Sequence, residues 1–594
     1  MSPTDPSHLD YRALLRASKQ LDVSTCTTER RIAILSDAAV PQLVPLLRTL
    51  FAARGVRAEI HLAEYDTLEL EVFDAASALY AFAPDAVVLL HAPQALRLRY
   101  WREAADREHF AERTVDGLVA LWDTLRARTP ALILQSNFPP PYERQFGNFD
   151  HLLPHTLLAQ SLRLNVLLAD AARERSGVLI DDVCGLATRI GLQRWFDERL
   201  WTLAKSFCAL EHLPLVARNV VDLVQAAQGA IVKCVVTDLD GTLWSGVVGD
   251  DGVAGLEMDA FGHAEPHHRL QHYLRELRRR GIVLAVCSKN DHATALDAFR
   301  SHPDMVLAEA DVAVFVANWG PKPDNLRHIR DTLNIGFDSI VFLDDNAFER
   351  ALVRDTLPGV IVPELPEDPA EWVRFLSELN LFEATSFSEE DRRRADAYRA
   401  NAQREEARTS FSDITEYLRS LDMRITMHRF DALSLPRAAQ LIQRTNQFSL
   451  TARRPSLAEC EAMARPGSGF VTFAISLVDR FGDNGLVSII ILRDTGDALD
   501  VVNWRMSCRV LARGVEAFAM NRVVETARAL GRESITGTFE PTAKNALVRD
   551  FFAGFGFEQT GTTADGGTTW RLRVASYEPR TTCIADADPT TTST

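Results

Sequence analysis

The stretch "VVTDLDGTLWSGVVGDDG", Val235 to Gly252, takes an apolar run into two carboxylates, Asp238 and Asp240, set two residues apart. Side chains alternate along a strand, so both carboxylates leave the strand end on one side if extension continues that far. Gly241 permits a tight turn there, and Thr242 is placed to donate a hydrogen bond to a phosphate. Two further apolar runs, "IVLAVCSK" and "SIVFLDD", also end in polar residues. The helical patterns "HAEPHHRLQHYLRELRRRG" and "PDNLRHIRDTLNIG" that accompany them each stop at a glycine, as C′ positions often do. In an open α/β sheet ligands bind beyond the carboxyl ends of the strands, so the polar clusters converge on one edge. Ser288 ends the second run and the pair Asp344–Asp345 ends the third. Lys322 opens the helix between them, and it is one of six lysines in a chain with 59 arginines.

Phosphoryl transfer needs a positioned nucleophile, a proton donor and cations around the moving group. One carboxylate of the Asp238/Asp240 pair suits attack on phosphorus and the other suits protonation of the leaving oxygen. Thr242, Ser288 and Lys322 suit the phosphate oxygens, and Asp344 with Asp345 completes a carboxylate set for Mg²⁺, a hard ion that prefers oxygen ligands. This order of clusters resembles the haloacid dehalogenase superfamily. Fifty residues separate Asp238 from Ser288 and 34 separate Ser288 from Lys322, which leaves no room for a large lid domain.

At 594 residues the chain exceeds a single hydrophobic core, so several domains are expected. No apolar run is long enough to span a bilayer, and the N-terminus has neither the basic start nor the apolar core of a signal peptide. Eight cysteines without any CxxC pair suggest reduced thiols and a cytoplasmic setting. The formal charge of −16 argues against a nucleic-acid partner. Residues 1–229 alternate strand-like runs ("RIAILSD", "DAVVLL", "PALILQSNF") with helical spacing, the pattern of an α/β layer with a mostly parallel sheet. The segment faintly resembles SGNH-type hydrolases, with Ser36 and Asn137 at the places of the nucleophile and the later Asn. No glycine precedes Ser36 and no convincing Asp-x-x-His follows, so a non-hydrolytic docking domain is expected.

The phosphatase-like segment is bounded at 230–370. Residues 371–420, with "SEEDRRRADAYRANAQREEAR", read as a solvated helical connector. Residues 421–577 carry strands "FVTFAISLVD" and "LVSIIIL" joined by "RFGDNG", then a strand that feeds into a long helix through "RMSCRVLARGVEAFAM". Residues 578–594 lack periodicity and are expected to be disordered. The strand-to-helix junction resembles the coenzyme A loop of GNAT-type acetyltransferases, where a helix N-terminus binds the pyrophosphate. Arg509, Arg513 and Gly514 match part of that loop. The usual second glycine is replaced by Glu516, which is compatible with a protein-bound phosphopantetheine arm. Cys508 lies between Arg505 and Arg509 and before a helix N-terminus, all of which favour a thiolate, the natural nucleophile toward an acyl phosphate. Cys287 is the rival, and on a regular strand it points away from Ser288.

The three parts together, with "QRTNQFSLT", "DRFGDNG" and "MSCRVLARGVE", closely resemble the FkbH-like family. The resemblance implies a multidomain α/β chain: an SGNH-like domain, a Rossmann-like haloacid dehalogenase core and a GNAT-like α+β domain. It implies a bifunctional glyceryltransferase/phosphatase of polyketide biosynthesis that takes 1,3-bisphosphoglycerate, removes phosphate and loads glyceryl as a thioester onto an acyl carrier protein. By resemblance, Asp238 is the nucleophile and an Mg²⁺ ligand, and Asp240 is the acid/base with its backbone carbonyl on the metal. Thr242, Ser288 and Lys322 hold phosphate, Asp344 and Asp345 complete the metal site, and Cys508 carries the acyl group. Two alternatives stay open: a phosphatase for another small or carrier-bound phosphate, and a non-catalytic carrier-docking scaffold. The intact acidic set with Lys322 argues against the scaffold.

Overall fold

Strand alternation in the N-terminal third builds one parallel sheet from β1 (Thr28–Ser36), β2 (Val56–Leu62), β3 (Ala86–Leu90), β4 (Leu132–Ser136) and β5 (Val178–Asp181). Its order is β2-β1-β3-β4-β5. The computed structural model describes residues 10–103, 105–385, 387, 389–408, 411–445, 447–542, 544–563 and 566–587, with the backbone alone at 389, 390, 405, 406, 444 and 508. The chain divides into two compact units between Ala227 and Gln228. In the first, β3 is buried along its whole length and helices cover both sheet faces, as an all-parallel sheet requires.

The second unit holds two sheets. The four-stranded parallel sheet has the order β8-β7-β6-β9, built from β6 (Cys234–Thr237), β7 (Val283–Ser288), β8 (Val312–Ala317) and β9 (Ile340–Leu343). β6 is a central strand, and β6, β7 and β9 are buried throughout. The segment read as ending at 370 continues to Phe382, because Trp372, Leu376 and Phe382 belong to the same core as Leu239 and Trp244. The other sheet runs β16-β17-β15-β14-β13-β12-β10-β18, comprising β10 (Met423–His428), β12 (Phe470–Asp479), β13 (Gly482–Asp494), β14 (Ala498–Met506), β15 (Ser534–Phe539), β16 (Glu558–Thr562), β17 (Thr568–Arg573) and β18 (Ile584–Asp586), with the short β11 (Phe448–Ser449) paired to β14.

β14 and β15 run parallel, in register from Ala498↔Ser534 to Val501↔Gly537. Beyond that point β14 leaves β15 and pairs with β11 instead, Ser449 opposite Arg505 and Phe448 opposite Met506. Arg505 is buried and fixes this insertion, donating to the carbonyls of Thr445 (2.8 Å), Thr451 (2.9 Å) and Arg453 (2.8 Å).

Two expectations are corrected here. The helix Glu389–Arg408 is not a solvated connector: Asp391, Ala395, Tyr398, Asn401 and Arg404 are buried along one stripe, and the helix packs on β7, β8 and β13. Arg392 and Arg393 lie on its exposed face. The tail is not structureless through its described part: β18 adds in parallel to β10, with Ile584 buried opposite Met423. β10 would otherwise present an unpaired edge, and edge backbone groups accept even a polar strand. Residues 588–594 lie outside the described residues.

A buried ion cluster ties the helix to the second sheet. Asp479, at the end of β12, accepts from Arg404 at 2.7 Å and lies 3.4 Å from Arg513, while Arg513 also donates to Asn401. Asn484 adds a hydrogen bond of 3.2 Å to the same carboxylate. Removing one member of a buried cluster strands its partners at a cost of about 3–5 kcal/mol. Asp479→Ala is therefore expected to lower unfolding stability by that order in urea titration. A loss below about 1 kcal/mol, the scale of an exposed pair, would show that solvent reaches the cluster.

Candidate active site

The carboxyl ends of β6, β7 and β9 bring the expected residues together. Asp238 follows β6 and its backbone N–H bonds the carbonyl of Leu343 at 2.9 Å, which aligns it with Asp344 at the end of β9. Lys322, the first residue of the helix Lys322–Leu333, points back between them: its Nζ lies 2.7 Å from Asp238 Oδ2 and 2.5 Å from Asp344 Oδ2. It is only 2% exposed, so its charge is held in place by these two anions, which raise its pKa against the effect of burial. Ser288, also buried, sits at the end of the neighbouring β7.

Asp238, Asp344 and Asp345 each offer a carboxylate oxygen, all within 4.8 Å of one another. Asp238 Oδ1 is buried and has no hydrogen-bond partner among the described residues. A buried anionic oxygen without a donor, facing two more carboxylates across one lysine, fits a hard divalent cation. The residues present therefore suit the group the sequence implies.

Asp240 has different surroundings. A turn follows Asp238, with Leu243 N–H bonding Leu239 O at 2.8 Å, so Asp240 is swung out of the strand line. Its Oδ1 accepts from the Trp244 indole at 2.8 Å and from Val248 N–H at 3.1 Å, and its Oδ2 accepts from Asn290 at 2.9 Å. Neutral donors thus hold Asp240, whereas Lys322 holds Asp238. Pairs of carboxylates in unlike environments are the usual basis for dividing nucleophile from acid/base.

Thr242 departs from expectation. It is wholly buried, and its hydroxyl is spent on Asp345, donating to the carboxylate at 3.2 Å and accepting the Asp345 N–H at 3.1 Å. Its place is that of a brace behind the Asp345 loop instead of a phosphate contact. Gly241 has φ +69°, and a Cβ there would meet Asp345 Oδ2 at 2.6 Å, so both the turn and the close carboxylate require glycine.

Three site residues escaped sequence reasoning. Asn290 bridges Asp240 and Ser288, the latter at 3.1 Å. Trp244 orients Asp240 from within the core. Buried Arg350 donates to the carbonyls of Asp344 (2.9 Å) and Asp345 (2.7 Å), clamping the loop that carries both. The signals available were polar residues two positions after Ser288 and five after Asp345, which no spacing rule singles out.

In the second sheet, Arg509 is buried with its guanidinium near Ser507 Oγ (3.2 Å) and Asn484 O (3.4 Å). Arg513 is corrected: its charge is engaged by Asp479 and Asn401, so it secures the loop and is not available to a phosphate. Gly514, with φ +84°, caps the helix Val515–Ala529. The side chain of Cys508 lies outside the described residues. Burial pushes the Cys287 thiol up to about 12, which leaves it protonated near neutrality. In the first unit, Ser36 Oγ accepts from Ala38 N–H and Asn137 is engaged with Cys184 N–H and Asp182. Buried His91 instead pairs with Asp37 at 3.1 Å. No histidine bonds Ser36 among the described residues, so the hydrolase arrangement is not formed.

Residues 31–225 match the model of the FkbH N-terminal domain. No curated protein matches the chain. Among solved structures it is similar to the N-terminal part of the protein BF1531 from Bacteroides fragilis, described as containing a phosphatase domain complexed with Mg, at 34% identity, TM-score 0.60, 64% of this chain and 100% of that one. Similarity also extends to the ribosomal-protein-S18-alanine N-acetyltransferase from Escherichia coli (16% identity, TM-score 0.21, 25% of this chain, 94% of that one) and to spermidine N-acetyltransferase from Vibrio cholerae (12%, 0.22, 26% and 97%). Among the described residues no helix is long and apolar enough to cross a membrane.

The carboxylate cluster predicts a pH signature. Burial, reinforced by Asp238 and opposed by Lys322, raises the Asp344 carboxyl to about 7, whereas an unfolded aspartate titrates near about 3.9. Within that window the folded chain holds the extra proton, so stability falls as pH rises from about 4 to about 7. A divalent cation needs the carboxylate and reverses the trend. Melting with EDTA and with Mg²⁺ should show a larger cation-induced rise in Tm at about pH 7.5 than at about pH 5.5. An equal rise at both would show that Asp344 is already ionised at about pH 5.5.

Proposed function

We propose a function for this chain from the family to which it belongs, the FkbH-like proteins with a phosphatase domain, and from its bridged carboxylate cluster. The chain acts as a Mg²⁺-dependent phosphatase coupled to acyl transfer, removing phosphate from 1,3-bisphosphoglycerate and loading glyceryl onto an acyl carrier protein in polyketide biosynthesis. The observation that carries the phosphatase reading is Lys322 held between Asp238 and Asp344, with one buried Asp238 oxygen lacking a protein donor. Mg²⁺ would sit on Asp238, Asp344, the Asp240 carbonyl and the nearby Asp345, and it would offset charge on the transferring phosphoryl group.

The chain's own residues supply the rest. Asp238 attacks phosphorus, and the bond to the leaving oxygen breaks as Asp240 delivers a proton to it. Water then attacks the phosphoaspartate with Asp240 accepting its proton, which releases inorganic phosphate and restores Asp238 as a carboxylate and Asp240 as the acid. Asn290 keeps Asp240 and Ser288 at fixed separation, so that the phosphate oxygens meet Ser288 and Lys322 together. For acyl transfer, the Cys508 thiolate attacks the acyl-phosphate carbon, a C–S bond forms and phosphate departs; the carrier's thiol then displaces the cysteine. The buried, protonated Cys287 thiol supports Cys508 over its rival.

Asp238→Asn keeps the shape but removes the nucleophile. It should reduce Mg²⁺-dependent phosphate release by on the order of 10⁴ or more, as removals of catalytic nucleophiles do. Turnover near wild type would sink the phosphatase assignment. Intact-mass and peptide mapping after 1,3-bisphosphoglycerate should place a glyceryl mark on Cys508 that moves to an added phosphopantetheinylated carrier. Cys508→Ser should lose that mark and Cys287→Ser should keep it. Phosphate release without any adduct points to a phosphatase for another substrate.

A further inference from the structure

The parallel sheet of the first unit, in the order β2-β1-β3-β4-β5, places β2 and β3 on opposite sides of β1. The connections that leave β1 and β3 therefore diverge, and such a switch point opens a crevice outside the carboxyl ends of the two strands. A cavity of about 720 Å³ lies there, with Asp37, the residue after β1, and His91, the residue after β3, in its lining. The phosphatase chemistry uses neither residue.

The two side chains form a dyad. His91 is 3% exposed, its backbone N–H donates to Ser136 Oγ at 2.9 Å, and its ring lies against Phe138 with centroids 5.7 Å apart. Its Nδ1 stands 3.1 Å from Asp37 Oδ2. The same oxygen accepts from Arg99 at 3.2 Å, and Asp37 Oδ1 accepts the Ala92 N–H at 2.7 Å. In the neutral ring the proton therefore sits on Nδ1, and Nε2 carries a lone pair. That nitrogen is buried and has no hydrogen-bond partner among the described residues. A buried acceptor in this state calls for a donor from outside the chain.

The walls select the charge of that donor. Both lining cations are engaged within the chain, Arg99 by Asp37 and Arg113 by Glu103 at 2.7 Å. Asp66, Glu69 and Asp74 also line the cavity, and Asp74 accepts the Ala76 N–H at 2.9 Å. Negative charge is thus in excess around the space. Among the described residues these carboxylates and His91 do not converge as joint ligands of a metal ion. Leu68, Leu118 and Leu121 add an apolar wall, and the exposed Phe73 offers a ring on which a cation can rest. One buried acceptor, acidic walls and an apolar stretch together suit an organic ammonium group on a carbon body.

We propose that this cavity binds a small alkylammonium ligand, which donates an N–H to His91 Nε2, has its charge offset by Asp66, Glu69 and Asp74, and lays its carbon chain along the leucine wall. The site is independent of the phosphatase and acyl-transfer readings and stands or falls apart from them.

Calorimetric titration of the full chain tests it with three probes of one length, hexylammonium, 1-hexanol and hexanoate. Hexylammonium should bind at least about tenfold more tightly than 1-hexanol, the scale of one charge-assisted hydrogen bond, and hexanoate should not bind. Gly117 lines the cavity from the helix Phe110–Arg128, and a Cβ there meets nothing within 4 Å, so Gly117→Leu fills the space without backbone strain. That variant should weaken hexylammonium binding by about tenfold or more. His91→Phe keeps a ring against Phe138 but removes the acceptor, and it should weaken binding to the same degree; Glu69→Gln should weaken it by about threefold. If hexylammonium does not bind, binds no better than 1-hexanol, or binds Gly117→Leu as it binds wild type, the proposal is overturned. Wild-type affinity in a folded His91→Phe places the cation elsewhere and overturns it as well. Should His91→Phe not fold, Gly117→Leu and Glu69→Gln decide: loss of affinity in both upholds the site, and anything less overturns it.

Discussion

A single buried ammonium group organises the phosphatase end of the molecule. Lys322 lies between Asp238 and Asp344, two carboxylates that close strand pairing would otherwise force together without compensation. Taking three charges out of water is unfavourable, and it is tolerated only where geometry and further hydrogen bonds satisfy the remaining atoms. The Asn346 N–H at 2.9 Å from Asp344 Oδ1 and the Arg350 clamp on the loop carbonyls supply that satisfaction around Asp344. One oxygen of Asp238 is left out. The protein has satisfied every part of the cluster except the place where a cation and a phosphoryl group would meet.

The three motifs of the C-terminal sheet make sense as one assembly. "QRTNQFSLT" supplies the segment that pairs with the far end of β14, "DRFGDNG" supplies Asp479 and Asn484, and "MSCRVLARGVE" supplies Arg509 and Arg513. Arg505, just ahead of the third motif, fastens the first through three carbonyls. Each arginine in this run therefore has a buried acceptor, and the loop around residue 508 is fixed from both sides. A run of arginines that looks like an anion loop in one dimension is, in three, mostly the fastening of that loop.

Strand ends were legible because chain direction and period decide them: an apolar run followed by Asp238, Ser288 or Asp344 places the polar residue at a sheet edge wherever the sheet is parallel. Lys322 was legible because lysine is scarce here. Residues that act through another side chain were not. Thr242 stands next to the nucleophile's turn in sequence, yet its hydroxyl serves Asp345, 103 residues away. Asn290 and Arg350 carry no pattern of their own. The connector helix misled because its charged residues dominate composition, while burial is decided by five positions on one stripe, including Asp391 and Arg404, whose charges are matched by Arg394 and Asp479. The tail misled for the opposite reason: composition measures what a segment can bury alone and says nothing of an edge such as β10 waiting to be paired.

The position of the two sites bears on the order of events. Lys233, just before β6, and Asp238, just after it, stand five residues apart, which at about 3.3 Å per residue separates the cavity that Lys233 lines with Ser507 and Arg509 from the phosphatase edge by roughly 17 Å. Buried β7 and β9 flank that strand on both sides, so the separation is filled with packed core. On the proposed acyl-transfer reading, a three-carbon acyl group held at residue 508 would be far too short to carry a phosphate ester around to Asp238. On this arrangement the ester is cleaved either while the substrate is free or when it rides on an arm long enough to visit both ends. On the proposed reading, a carrier-borne arm would have to reach both ends of β6.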